Sequence, residues 1–256
     1  MKHTIRAEIF KFYWDIRRYL FNYTVGLIAE IIFIGGLYWS VSRFEKSKEI
    51  IFGGLVLWLF ARGALSDAST IIGEERYYGT FERVSVTKSS LFSILISRLI
   101  VNFLFESIKV MILAGILYII FRPPVRFSFV PDKILFIWII TILVIMCLYS
   151  WGFIIASLQL IWKRTGAIIP IIEYIFLVFS GVIVDVSTIP RLLVPVSNLI
   201  PITWEIKILQ KLFEGQSIII PTIHLIIYTI IILQIGYLIF NIAVKHTKKT
   251  GGYGFY

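Results

Sequence analysis

Apolar residues in this chain run in long unbroken blocks. They do not alternate with polar ones, and they do not fall into the narrow stripe of a half-buried surface helix. The blocks cover 23–41, 50–72, 91–121, 134–161, 167–184 and 218–244. Each approaches or exceeds the roughly 20 residues that a helix needs to cross hydrocarbon. In lipid the backbone has no water to bond, so each block is expected to close its own hydrogen bonds as a helix. A membrane barrel would need apolar and polar residues in alternation, which these blocks lack. The pattern therefore predicts an all-α integral membrane protein with six transmembrane helices, in a single domain over 1–256.

The stretches between blocks are of four kinds. Residues 1–22 contain KHTIRAEIFKFYWDIRRYLF, in which Ile5, Ile9, Phe12, Tyr13, Ile16 and Leu20 make one helical stripe and five Lys and Arg occupy the remainder. That is an amphipathic helix suited to lie in the membrane interface. Residues 73–90, GEERYYGTFERVSVTKSS, are charged with both signs. Gly79-Thr80 suits a turn followed by a helix, with Thr80 as the cap and Arg83 at the third position. The plain alternative there is a solvated loop. Residues 185–217 are largely apolar and are broken by Pro190, Pro195 and Pro201. A segment that apolar is expected to fold short helices back into the outer leaflet. The tail, 245–256, is basic, rich in glycine and expected to be flexible.

Composition agrees with a membrane protein. Of 256 residues 58% are hydrophobic and only 16% charged, with a mean hydropathy of +0.88. Soluble domains carry about 45–50% apolar residues. The net charge of +10 is assigned to loops beside anionic headgroups. No basic stripe with interleaved aromatics lies outside the blocks, so nucleic acid is not an expected partner. Six crossings put both termini on one side. That side carries about 13 Lys and Arg against about 9 opposite, which makes it cytoplasmic. One cysteine, Cys147, permits no intrachain disulfide, and three scattered histidines suggest no metal centre. The N-terminus does not resemble a cleaved signal peptide.

The string E-R-x-x-G-T-x-E-x-x-x-V-T-x-S follows directly on the second block. It is carried by Glu75, Arg76, Gly79, Thr80, Glu82, Val86, Thr87 and Ser89. A second string, S-G-V-I-V-D-V-S-T-I-P and then N-L-I-P-I-T, brings Ser180, Gly181, Pro190, Asn198, Pro201 and Thr203 before the last block. Together, in this order, they resemble the signatures of ABC-2 type permeases, the membrane subunits of ATP-binding-cassette exporters. Two positions depart from that pattern: Lys88 stands where proline is frequent, and Asp185 where proline or an apolar residue is. The resemblance implies two such subunits, as homodimer or related heterodimer, bound to two ATPase subunits. It implies that 73–90 is a coupling helix, with Glu74, Glu75, Arg76, Gly79, Thr80, Glu82, Arg83 and Thr87 at the ATPase contact. It also implies a prokaryotic cell-membrane exporter of an amphipathic small molecule, drug or lipid-like substrate. No G-x-x-x-x-G-K-[ST] occurs in the chain. ATP and magnesium are therefore expected on the partner, with no cofactor and no catalysis in this chain.

Charges inside the blocks need a reason, because each costs from about 2.5 kcal/mol upward in hydrocarbon. Asp67 and Arg98 are expected near the cytoplasmic interface, snorkelling to it. Glu106 and Lys109, three apart, can pair on one helix face. Glu30, Arg62 and Glu173 either pair between helices or line a translocation path. Two other functions stay open. An ion-gradient transporter would show an inverted repeat, which is not seen. A non-transporting membrane scaffold or sensor would show no distinguishing motif.

Overall fold

The computed structural model describes residues 2–43, 48–77, 91–122, 131–162 and 166–249. Every regular element among them is helical. Helix α1 (Lys2–Arg18) is followed after Tyr19 by α2 (Leu20–Val41). Tyr19 leaves helical geometry at φ −114 and ψ 32, so the N-terminal helix joins the first span through one kinked residue. Thr4, Ile5, Glu8, Phe12 and Ile16 turn inward, while Ile9, Phe10, Tyr13 and Trp14 are exposed. The stripe packed on the bundle thus contains a carboxylate, while Ile9 and Tyr13 of the apolar stripe face away from it.

Then come α3 (Lys48–Tyr77), α4 (Leu91–Phe121), α5 (Pro131–Trp162), α6 (Ile168–Phe179), α7 (Val194–Asn198), α8 (Pro201–Phe213) and α9 (Ile219–Lys249). Five helices among the described residues are long and apolar enough to cross a membrane: α2, α3, α4, α5 and α9. The expected fifth span, 167–184, is shorter than its apolar block. Its helix α6 has 12 residues, about 18 Å at 1.5 Å per residue. It ends because Ser180 accepts from the Val182 N–H at 3.3 Å and donates to the Leu177 carbonyl at 3.2 Å. Gly181 then takes φ +91, where a side chain would be strained. Pro195 and Pro201 open α7 and α8. Proline fits a first helical turn, whose N–H groups have no intrahelical partner.

Helix directions follow from which residues meet. Glu30 faces Arg62, and Tyr38 packs on Phe52, so α2 and α3 are antiparallel. Gly63 abuts Glu106 and Glu75 meets Arg98, so α3 and α4 are antiparallel. Along α5 and α9, Trp151 meets Tyr228, Phe153 meets Phe240 and Thr247 meets Leu160. These two helices therefore run parallel. Helix α6 runs against α3: Glu173 lies at Arg62, and Val182, beyond its end, packs on Gly54.

Contact between the helices depends on small residues. Gly152 of α5 lies against the Ala64 carbonyl of α3. Gly236 of α9 lies on Ser150, whose hydroxyl donates to the Ile232 carbonyl at 2.6 Å. In lipid, where helix association gains little from the hydrophobic effect, such close approach supplies the packing energy. Gly152→Ala should lower stability by about 1–3 kcal/mol, because its Cβ would meet backbone that cannot yield. Gly115, with nothing within 4 Å of a built Cβ, is the control: Gly115→Ala should be neutral or gain up to about 1 kcal/mol. Thermal unfolding of both variants in detergent checks the difference.

Candidate functional site

Five ionisable side chains from four helices meet within the bundle. Arg62 of α3 lies 3.5 Å from Glu30 of α2 and 3.6 Å from Glu173 of α6. Lys109 of α4 bonds Glu30 at 3.2 Å and Glu106, one turn earlier, at 2.7 Å. Gly63 makes room: a Cβ there would fall 3.2 Å from Cγ of Glu106. The Trp58 indole N–H donates to the Glu173 carbonyl at 3.2 Å, fixing the turn that carries that carboxylate. The chain of contacts is thus Glu173–Arg62–Glu30–Lys109–Glu106. All three residues singled out from the sequence belong to it, and Glu106 and Lys109 extend it. The Arg62 side chain is 45% exposed, far more than any of the three carboxylates. It marks the open side of the network.

Asp67 does not snorkel. It lies between α3 and α5 and accepts from the Tyr149 hydroxyl at 3.3 Å. An adjacent hydroxyl satisfies it more cheaply than a reach to the interface, because Asp has a short side chain and α5 is close.

At the C-terminal end of α3, Arg98 of α4 holds two carboxylates. Its Nε donates to Glu8 of α1 at 2.8 Å, and its Nη1 bonds Glu75. Phe12 stacks on Phe105 with centroids 4.1 Å apart, so α1 is packed on α4 as well as ion-paired to it. Arg98 is accordingly half-buried and paired, where a snorkelling side chain was expected. Gly73, Glu74, Glu75 and Arg76 belong to the last turns of α3, not to a separate helix. Glu75 turns inward onto Arg98 while Glu74 is exposed. Gly79, Thr80, Glu82, Arg83 and Thr87 lie outside the described residues. A cation at 98 in register with carboxylates at 75 and 8 has no local sequence signature, since the pairing spans three helices.

At the other end of the bundle, the residues after α6 fold back on it. Asp185 accepts from the Ser187 N–H and hydroxyl, both at 3.0 Å, closing a turn over Val186–Thr188. Gly181, Asp185, Thr203, Lys207 and Gln210 border a cavity of about 280 Å³. Trp204 donates to the Asn198 carbonyl at 2.9 Å and stacks on His224 of α9. Lys207 bonds Asn198 at 2.9 Å. Ser180, Pro201 and Thr203 are buried, whereas Pro190 is exposed. This second string is therefore mostly a folding signal that ends α6 and starts α8.

A family model described as ABC-2 type transporter matches residues 4–213. The chain belongs to the ABC-2 type transporter family. A search of the curated proteins finds no match. The family match spans the bundle from α1 to the end of α8 and so includes both groups of paired charges. This ABC-2 permease is the membrane subunit of an ATP-binding-cassette transporter, and its family implies an ABC ATPase partner.

Within the permease the charge network ties α2, α3, α4 and α6 together. Removing one member of a buried ion pair typically costs about 3–5 kcal/mol, because the remaining charge is left in low dielectric. Lys109→Met should therefore destabilise the permease by stranding Glu106 and leaving Glu30 with Arg62 alone. Adding Glu106→Gln should recover part of the loss. Thermal unfolding of the single and double variants in detergent measures both effects.

Proposed function

We propose that this permease forms half of the translocation path of an ATP-driven exporter in a prokaryotic cell membrane. It pairs with a second permease subunit, identical or related, and takes its energy from two ATPase subunits that bind ATP and magnesium. The observation that carries this reading is the junction at Arg98. Helix α3 runs as one rod of 30 residues to Tyr77, directly before the 78–90 stretch proposed to dock the ATPase. Arg98 grips the last turn of that rod and ties it to α1 and α4. A displacement imposed on the docking segment would reach three helices at once. In this scheme Glu74 and Glu82 face the ATPase, and Glu75 transmits within the permease.

The six-crossing arrangement fits the same reading. Helices α5 and α9 are parallel, so the chain between them has to return across the membrane. Helix α6 is the element available, and Glu173 and Val182 hold it against α3. The roughly 18 Å of α6 falls short of the ~30 Å core. The folded segment after it completes the outer half, re-entering without crossing. Both termini are then cytoplasmic, with the exposed aromatics of α1 in the interfacial lipid.

Arg62 lies between Glu30 of α2 and Glu173 of α6 and is half-exposed. A half-exposed cation at this depth is too costly to face lipid. It lines the path or the contact with the second subunit. The substrate proposed is an amphipathic small molecule, drug or lipid-like compound.

Charge reversal at Glu74 and Glu82 together should reduce co-purification of the ATPase by at least about tenfold, the equivalent of 1.4 kcal/mol. It should also abolish transport-linked ATP hydrolysis in proteoliposomes. Unchanged co-purification with unchanged coupled hydrolysis would reject the docking segment.

A further inference from the structure

Glu205 sits on the inner side of α8 and is 1% exposed. One carboxyl oxygen lies 2.6 Å from the Thr141 hydroxyl of α5. The other, Oε2, is buried without a hydrogen-bond partner. Thr141 Oγ1 is also 2.9 Å from the Ile137 carbonyl one turn back. A threonine hydroxyl has one proton and can donate to only one of these two acceptors. With Glu205 ionised, either the carboxylate or the Ile137 carbonyl loses its donor, and a bare charge stays buried. With Glu205 protonated, its O–H donates to Thr141 Oγ1 and Thr141 donates to Ile137. Both contacts are then satisfied, and no charge is buried.

We propose that Glu205 is a proton-binding site, holding its proton toward Thr141 and thereby latching the outer helix α8 onto α5. Releasing the proton to external water leaves a carboxylate that Thr141 can serve only by abandoning Ile137. The latch then weakens.

The turn before α7 brings Asp185, which accepts from Ser187; among the described residues, the helices packed against α8 bring the following titratable groups. Helix α3 brings Lys48, Glu49, Arg62, Asp67, Glu74, Glu75, Arg76 and Tyr77. Arg62 is held by Glu30 and Glu173, Asp67 by Tyr149, and Glu75 by Arg98. Helix α5 brings Asp132, Lys133, Cys147 and Tyr149, and α7 brings none. Helix α9 brings His224, Tyr228, Tyr237, Lys245, His246, Lys248 and Lys249. His224 stacks on Trp204, and Tyr228 donates to Leu199. On α8 itself, Lys207 is bonded to Asn198, and Lys211 lies in the last turn. Burial and the Thr141 hydroxyl are what act on the Glu205 carboxyl, and burial pushes it up to about 7. A raised carboxyl pKa favours the docked state at low pH. That advantage is lost as external pH rises through about 7. The proposal stands apart from the export reading, because its first test involves no transport.

Infrared difference spectra of the purified permease at pH 6 should contain a protonated-carboxyl stretch that is missing in Glu205→Gln. In Thr141→Val the stretch should move to higher frequency, as its hydrogen bond is lost. If Glu205→Gln fails to accumulate, the Thr141→Val shift carries the assignment. Ile208→Cys in a Cys147→Ala background reports latch opening. Its labelling by an impermeant maleimide should rise with external pH by up to about tenfold per unit more than in the same chain with Glu205→Gln. His224→Asn should leave that excess unchanged. Spectra with no band lost in Glu205→Gln and none shifted in Thr141→Val would overturn the proposal. So would labelling whose pH dependence is the same with and without the Glu205→Gln substitution.

Discussion

Charge in a membrane needs a partner, and in this permease the pairing of opposite charges organises the bundle. The Glu173–Arg62–Glu30–Lys109–Glu106 chain draws α2, α3, α4 and α6 to one point. No single pair in it is independent, because Arg62 and Lys109 each serve two carboxylates. Such networks are poor sources of net stability but strict about geometry, since a displaced helix strands a charge. Arg98 repeats the device at the C-terminal end of α3, with α1 and α4. Between the two clusters, α3 is held at both ends of its second half. Helices α3 and α4 are the elements that both clusters share.

Small residues do the complementary work along α3, α5 and α9. Gly152 and Gly236 let backbone meet backbone or a serine, so these three helices pack as a tight group. The other side of the molecule is looser: α2 and α4 expose most of their length. A rigid group beside a charge-linked, less packed one suits a division between scaffold and moving wall in an ATP-driven path. Stability changes at Gly152 and Lys109 distinguish the two halves physically, because one measures steric contact and the other unpaired charge.

Much of this could be read from the chain. Long apolar blocks predicted five of the helices, because span length is imposed by the bilayer. The i,i+3 spacing of Glu106 and Lys109 was enough to foresee their contact. The end of α6 was not foreseen: hydropathy continues through Val184, while Ser180 and Gly181 terminate the helix by hydrogen bonding and a positive φ. Long-range charge matching was also invisible. Glu8 carried no local signal, and Glu75 was assigned to the docking segment; Arg98 bonds both. Glu205 gave no signal, one acid in a largely apolar stretch, because its isolation is a property of packing alone.

The parallel course of α5 and α9 requires a return crossing between them, and α6 is the helix placed to make it. Single cysteines at Gly166 and Gln216, in a Cys147→Ser background, flank the stretch in question. Labelled in intact cells with a membrane-impermeant thiol reagent, Gln216→Cys should react and Gly166→Cys should react only after the membrane is permeabilised. Reaction of both, or of neither, in intact cells would contradict the crossing.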